Sequence, residues 1–377
     1  MSLLKRILKK LRFATALRKK AAFQTFSTTG GTYFTSKDES LFNLIKTEKV
    51  KKEDVLPYFD KLSESLYKNL ESSGVSYKDL CRIIAGKMAY NRSGFTPDQV
   101  QQTLVDAYCK TNGIFQEVMF DFVYRDHNQN FIQEGTSIFG KVDTATLENI
   151  SEEIRNNGYS VLPFRVPEDI IRGIVQNAKQ LEYTFMDDSL TGKLPKGKIE
   201  DFNDFPYAKA NAAEEDLKKD NQIMKICMDP LLVSILQTTL KAKVDLWHLS
   251  MWWSFKIKNP SSVAAQYFHY DLDSIRWLKI FVYLTDVNTN KGPHVAIPGT
   301  HKLGGKNYKL LSKRYDRITD EEMSRLQVGK VKEFEGPAGT IIIGDTRCWH
   351  KGKELSEGNR LILQPTFSPT WFIKKLV

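Results

Sequence analysis

The run DLWHLSMWWSFKI, residues 245–257, constrains the fold of this chain more than any other stretch. Trp247, Leu249, Met251, Trp253, Phe255 and Ile257 alternate with His248, Ser250, Trp252, Ser254 and Lys256. Successive side chains of an extended strand point to opposite faces, so one face here is wholly apolar and the other is polar with a single indole. The division recurs in WLKIFVYLT, where Leu278, Ile280, Val282 and Leu284 oppose Lys279, Phe281, Tyr283 and Thr285. It returns in RLILQPTF, where Leu361, Leu363, Pro365 and Phe367 oppose Arg360, Ile362, Gln364 and Thr366. Two-faced strands of this kind suit a β-sandwich or barrel with helices packed outside and a partly polar interior. Such an interior is built to hold something.

Upstream the pattern is helical. Residues 38–130 space their apolar side chains three or four apart, as in VLPYFDKLSESLYKNLESSG and TPDQVQQTLVDAYCKT, which predicts a small helical region without evident chemistry. A boundary is expected near 130–142, and the β domain over 142–377. Within it Thr144 to Asn157 reads as a helix, GYSVLPF as a short strand, and PEDIIRGIVQNAKQLEY as a helix opened by Pro167. Residues 186–212 lack periodicity and are expected to be a loop, a candidate lid. Helix is expected again to about residue 242. Thr319 with Glu322 reads as a capping box opening one more short helix.

The net charge of +10 is concentrated in a leader. Residues 1–37 carry nine Lys/Arg and no acid, leaving +1 for the other 340 residues, so charge alone does not indicate a folded basic face for nucleic acid. Leu3, Leu4, Ile7, Leu8 and Leu11 recur at helical spacing among the cations of residues 1–23. That suits an amphipathic helix on an anionic membrane surface or an organelle (for example mitochondrial) transit peptide, with a solvated tail as the plain alternative. No apolar run reaches the roughly 20 residues of a membrane span, so an integral membrane protein is not expected. Cys81, Cys109, Cys227 and Cys348 form no C-x-x-C pair, which suits a reducing compartment such as the cytoplasm.

Five of the six histidines fall between 248 and 350. His269 and Asp271, in QYFHYDLDSIRW, lie two apart on an extended segment and so point to the same side. An imidazole and a carboxylate placed that way can take two neighbouring positions on one metal. Divalent iron held by two His and one carboxylate keeps positions open for a chelating cosubstrate and dioxygen, so a third ligand is expected from a distant histidine. The candidate is His350, 81 residues on, after GTIIIGDTRCW. Arg360, ten residues further and in phase with Gln364, offers the guanidinium that a dicarboxylate cosubstrate requires. Asp273 is a competing carboxylate.

The ordered set H-x-D, NKGPHVAIPGTHK, GPAGTIIIGDTRCWHKG and NRLILQPTFS resembles the phytanoyl-CoA dioxygenase family. GYSVLPF followed by PEDIIRGIVQNA is similar to the start of that domain, and the likeness covers roughly residues 142–372. The resemblance implies an α+β fold whose catalytic core is a double-stranded β-helix, a jelly-roll relative of the cupins. It implies an Fe(II)/2-oxoglutarate oxygenase with O2 as second cosubstrate, His269, Asp271 and His350 as iron ligands, and Arg360 as partner of the 2-oxoglutarate C5 carboxylate. Lys279 and Tyr283 are further expected to assist that cosubstrate. Because the carboxylate at 271 is retained, hydroxylation or desaturation of a small-molecule or lipid- or carrier-linked substrate is expected rather than halogenation, with release of succinate and CO2.

Bland readings stand beside these. His127 suits a helix end, His294 and His301 a turn, Cys348 plain packing, and His248 and Trp252 either the pocket wall or a buried structural role. The basic residues Lys302, Lys306, Lys309, Lys313, Arg314 and Arg317 suit an anionic substrate or a solvated face. A metal-dependent hydrolase or lyase on the same three ligands, and a silent binding module, remain open alternatives at this stage.

Overall fold

The computed structural model describes residues 98–111, 131–190, 192–258, 260–272, 274–302 and 317–369, with isolated positions between 74 and 120. The leader, His127, most of the region 38–130, Asp273, Lys306, Lys309, Lys313 and Arg314 lie outside the described residues.

The strands are β1 (Tyr159–Val161), β2 (Tyr183–Met186), β3 (Lys196–Gly197), β4 (Lys209–Ala212), β5 (Asp245–Phe255), β6 (Leu278–Tyr283), β7 (His294–Ala296), β8 (Lys332–Phe334), β9 (Ile341–Gly344), β10 (His350–Gly352) and β11 (Asn359–Ser368). They form a large sheet, ordered β1-β9-β6-β11-β5-β4-β2-β3, and a small one, β10-β7-β8. Isolated bridges, His269 to His350 and Phe268 to Ile318, extend the small sheet by two short segments. The two sheets face each other. Phe281, Tyr283, Ile342 and Ile362 of the large sheet pack with Ala296 and Phe334 of the small one. This is the jelly-roll arrangement, with mixed helix and sheet.

The two-faced strands set the layers. Leu361 pairs with Trp253 and Leu363 with Met251 on the outer face of the large sheet, where they join the main core. That core is completed by one edge of α1 (Asp98–Thr111) and by α2 (Thr144–Asn157), α3 (Glu168–Ala178), α4 (Glu214–Lys219), α5 (Asn221–Cys227) and α6 (Pro230–Leu240); α7 (Asp320–Leu326) packs through Met323 in a separate cluster. Leu232, Ile235 and Leu236 of α6 are fully buried, each contributing about 1.5–3 kcal/mol by leaving water. The inner face carries Arg360 beside Ser254, Ile362 beside Trp252, and Thr366 beside His248. It is more apolar at its centre than a plain polar face, because Phe281, Tyr283 and Ile362 fill the space between the sheets.

Helix ends follow their caps. Asp143 accepts from Thr146 N at the start of α2, and Gly158 closes it in the left-handed region at φ 84°. A Cβ at Gly158 would lie 2.2 Å from Cys348 Sγ, so glycine is also required by close approach. Asp229 caps α6 through Leu231 N and Leu232 N and accepts from Ser137 Oγ and Ile138 N with its two oxygens. Thr319 caps α7 as its spacing predicts.

Two expectations change. Residues 186–212 are not a free loop: β3 and β4 within them extend the large sheet, and β4 hydrogen-bonds directly to β5. Lysines and glycines hide this because a short edge segment needs no alternating pattern. The stretch Asn221–Leu240 is long and apolar enough to cross a membrane by length and composition. It consists of α5 and α6, separated at Met228 and Asp229, and is mostly buried within the main core, as suits core helices.

Candidate metal centre

His269, Asp271 and His350 converge. Their ligand atoms all lie within 4.8 Å of one another, with His269 Nε2 3.9 Å from Asp271 Oδ1 and His350 Nε2 3.6 Å from Asp271 Oδ2. Backbone pairing brings them there. His269 N donates to His350 O and His350 N to His269 O, at 2.9 and 2.8 Å, while Asp271 N donates to Thr346 O. Each imidazole is oriented by its other nitrogen. His269 Nδ1 lies 2.9 Å from Tyr267 O and His350 Nδ1 lies 2.9 Å from Cys348 O. A carbonyl can only accept, so both Nδ1 atoms carry the proton and both Nε2 lone pairs face the cluster. Arg317 Nη1 stands 3.5 Å from His269 Nδ1, a longer contact than the carbonyl.

Charge follows from burial and neighbours. Burial lowers the pKa of both imidazoles, which keeps them neutral and able to ligate. Burial pushes the Asp271 carboxyl up, but the Lys279 ammonium beside it outweighs burial and holds the group far below the carboxylate range. Lys279 Nζ donates to Asp271 Oδ2 at 2.7 Å. The set offers one anion and two neutral nitrogens on one side of a space, which is a donor set for a divalent metal.

Opposite lies a cation without a counter-ion among the described residues. Arg360 is 4% exposed, donates Nη2 to Ser254 Oγ at 3.2 Å, and has no partner for Nε and Nη1 among the described residues. Burial lowers its pKa to about 10. A buried guanidinium costs several kcal/mol unless paired, so a side chain left this way is able to receive an anion. Lys209 stands across from it. In register, Lys209 and Arg360 flank Ser254 from β4 and β11, and Lys209 Nζ sits 4.3 Å above the Trp252 ring. Burial and then Arg360 lower the Lys209 pKa to about 7. Sequence reading missed Lys209 because it lies in the stretch taken for a loop.

The remaining expected residues find other partners. Lys279 donates to Asp271 Oδ2, which ties it to the ligand cluster. Tyr283 Oη donates to Phe334 O at 2.7 Å and accepts from His294 N, so it has no donor left for a cosubstrate; its ring forms wall. His294 stacks on Phe281, with ring centroids 4.3 Å apart. His301 bonds Arg155 O and Cys348 Sγ, a structural pair behind the site. His248 belongs to a chain on the inner face: its Nδ1 donates to Glu214 at 3.0 Å, and its Nε2 lies 2.8 Å from Ser250 Oγ. Beside it, Thr366 Oγ1 is buried without a partner among the described residues.

Comparison with known proteins agrees with this geometry. Residues 154–362, more than half of the chain, match the model of the phytanoyl-CoA dioxygenase family. Among curated proteins none matches. Similar solved structures include the non-heme α-ketoglutarate-dependent epimerase SnoN from nogalamycin biosynthesis, at 16% identity and TM-score 0.45, covering 60% of this chain and 84% of that one. HygX from Streptomyces hygroscopicus, with nickel and 2-oxoglutarate bound, is 15% identical with TM-score 0.45, covering 62% and 90%. EctD from S. alaskensis, with bound Fe, is 14% identical with TM-score 0.42, covering 65% and 87%. The residues present fit Fe(II) at the His-Asp-His cluster, and Arg360 offers a buried guanidinium to a carboxylate. The chain belongs to the phytanoyl-CoA dioxygenase family of Fe(II)- and 2-oxoglutarate-dependent enzymes.

Proposed function

We propose that this protein is a dioxygenase that hydroxylates an unactivated C–H bond of a small-molecule or lipid- or carrier-linked substrate, releasing succinate and CO2. The observation that carries the reading is a three-ligand cluster at the small sheet faced by a buried guanidinium of the large sheet whose Nε and Nη1 are unpaired among the described residues. The hydrolase reading does not require such a group.

His269, Asp271 and His350 would hold Fe(II), which with 2-oxoglutarate supplies the oxidising power for the C–H bond. Each of the chain's own residues then has a task. The carbonyls of Tyr267 and Cys348 fix the imidazole tautomers. Lys279 holds Asp271 Oδ2, which leaves Oδ1 to ligate. Arg360 and Lys209 receive the far carboxylate of the cosubstrate from two sides of Ser254. Tyr283, Ile362 and Phe281 keep that end dry, which strengthens the charge pairing. Ser250 Oγ, hydrogen-bonded to His248 Nε2, and Thr366 Oγ1 put hydroxyl groups on that inner wall. That wall suits a polar group on the substrate.

The test is succinate formation from 2-oxoglutarate in the presence of a small-molecule library, followed by mass spectrometry for products that gain one oxygen atom. Formation that requires Fe(II) and vanishes in His350→Ala supports the reading. Metal-dependent turnover of a compound with no consumption of 2-oxoglutarate would overturn it.

A further inference from the structure

Helix α1 precedes the residues matched by the family model, yet it reaches the back of the metal centre. One edge, Val100, Leu104 and Ala107 at i, i+4 and i+7, is buried in the main core. The other edge, Val105, Tyr108 and Cys109, joins a separate aromatic cluster with Tyr270, Trp277 and Trp349. Tyr270 stands between His269 and Asp271, and Trp349 immediately precedes His350. In extended chain these two rings point away from the side on which the ligands gather.

The contacts are close. Tyr108 stacks on Tyr270 with centroids 5.8 Å apart and 27° between planes. Cys109 Sγ lies 3.8 Å from Tyr270 Oη. Tyr270 in turn meets Trp349 edge-on at 4.9 Å. All three rings are at most 3% exposed.

The ligand segments need such a backing. His269 and His350 exchange a pair of backbone hydrogen bonds, which fixes them sideways. Neither belongs to a long strand: β10 has three residues, and the segment through His269 is held by isolated bridges. Movement perpendicular to the sheet is opposed by whatever packs behind it. We propose that α1 is a clamp from the helical region to the metal centre, with Tyr108 as a positioning residue that presses Tyr270 and Trp349 forward and so sets the spacing of His269, Asp271 and His350. The inference rests on the metal-centre reading given above.

Co(II) alone, titrated into the full chain, tests it through both the dissociation constant and the visible d–d spectrum. Tyr108→Ala and the bulkier Tyr108→Leu are expected to weaken Co(II) binding about 10- to 100-fold, the usual scale for groups that orient ligands from outside, and to alter the band. Tyr108→Phe, which keeps the ring, restores both. Ile235→Ala, a deletion in the main core, lowers the melting temperature and leaves both unchanged. Tyr108→Leu that melts earlier but binds Co(II) with wild-type affinity and spectrum would overturn the clamp. Wild type that binds no better than His269→Ala would instead remove the metal centre on which the clamp rests.

Discussion

The large sheet and the small sheet supply the two halves of the site by different means. The large sheet presents Arg360, Ser254 and Lys209 from three neighbouring strands, in register, so their spacing is set by regular pairing. The small sheet presents His269 and His350 from segments a few residues long, tied by backbone bonds to each other and to β7, Ile318 and Thr346, and backed by aromatic rings. One half is therefore held by a long hydrogen-bond ladder and the other by a short one with packed rings behind it. The difference matters because an anion cradle tolerates a small shift, whereas ligand atoms around a metal do not.

Substitutions in the small sheet should have the largest effect. His269→Ala or Asp271→Ala is expected to abolish metal binding and succinate formation, read by metal analysis and by product assay. On the large sheet, Arg360→Met should raise the KM for 2-oxoglutarate roughly 100-fold, the scale for losing one partner of a buried charge pair, while metal affinity stays near wild type. The same change should raise the melting temperature of the ligand-free protein, because it removes a buried charge that lacks a counter-ion among the described residues. A lowered melting temperature would mean that Arg360 is a structural group and that the two halves are not divided as described.

Lys209 gives a smaller effect with a pH signature. Its pKa of about 7 in the free protein must rise when a carboxylate arrives, since an anion favours the charged amine. Binding then takes up a proton above neutral pH, so affinity for 2-oxoglutarate falls as pH increases from about 7, by up to about tenfold per pH unit. Lys209→Met should bind roughly tenfold more weakly at pH 6.5 (about half a unit below that pKa) and lose this slope. Affinity measured by calorimetry from pH 6 to 9 (a range of roughly two units above the free pKa) decides it. Ser254→Ala should cost least, a few-fold in KM, because Arg360 loses one hydrogen bond but still pairs with the arriving carboxylate.

The same contrast explains what was legible in the amino-acid sequence. The faces of β5, β6 and β11 follow from strict alternation, because one side must meet the helices and the other the interior. His269, Asp271, His350 and Arg360 were readable because H-x-D spacing, a distant histidine and an in-phase arginine carry their own chemical logic, sharpened by the family resemblance. Lys209 was not, since β4 is four residues long and its register against β5 is a tertiary fact. Glu214 was equally hidden: its carboxylate reaches His248 from another element, 34 positions away. The expected roles of Lys279 and Tyr283 rested on the face they share, which places them in the interior but cannot say that Asp271 and Phe334 O would engage them.

The central claim is that the two halves hold one iron–cosubstrate unit between them. Anaerobic titration with Fe(II) and 2-oxoglutarate, following the visible charge-transfer band of their chelate, tests it most directly. The band should appear in wild type only when both are present, be lost in Asp271→Ala, and require far more 2-oxoglutarate in Arg360→Met. No band at saturating Fe(II) and 2-oxoglutarate in folded protein, or a band indifferent to Arg360, would contradict the account.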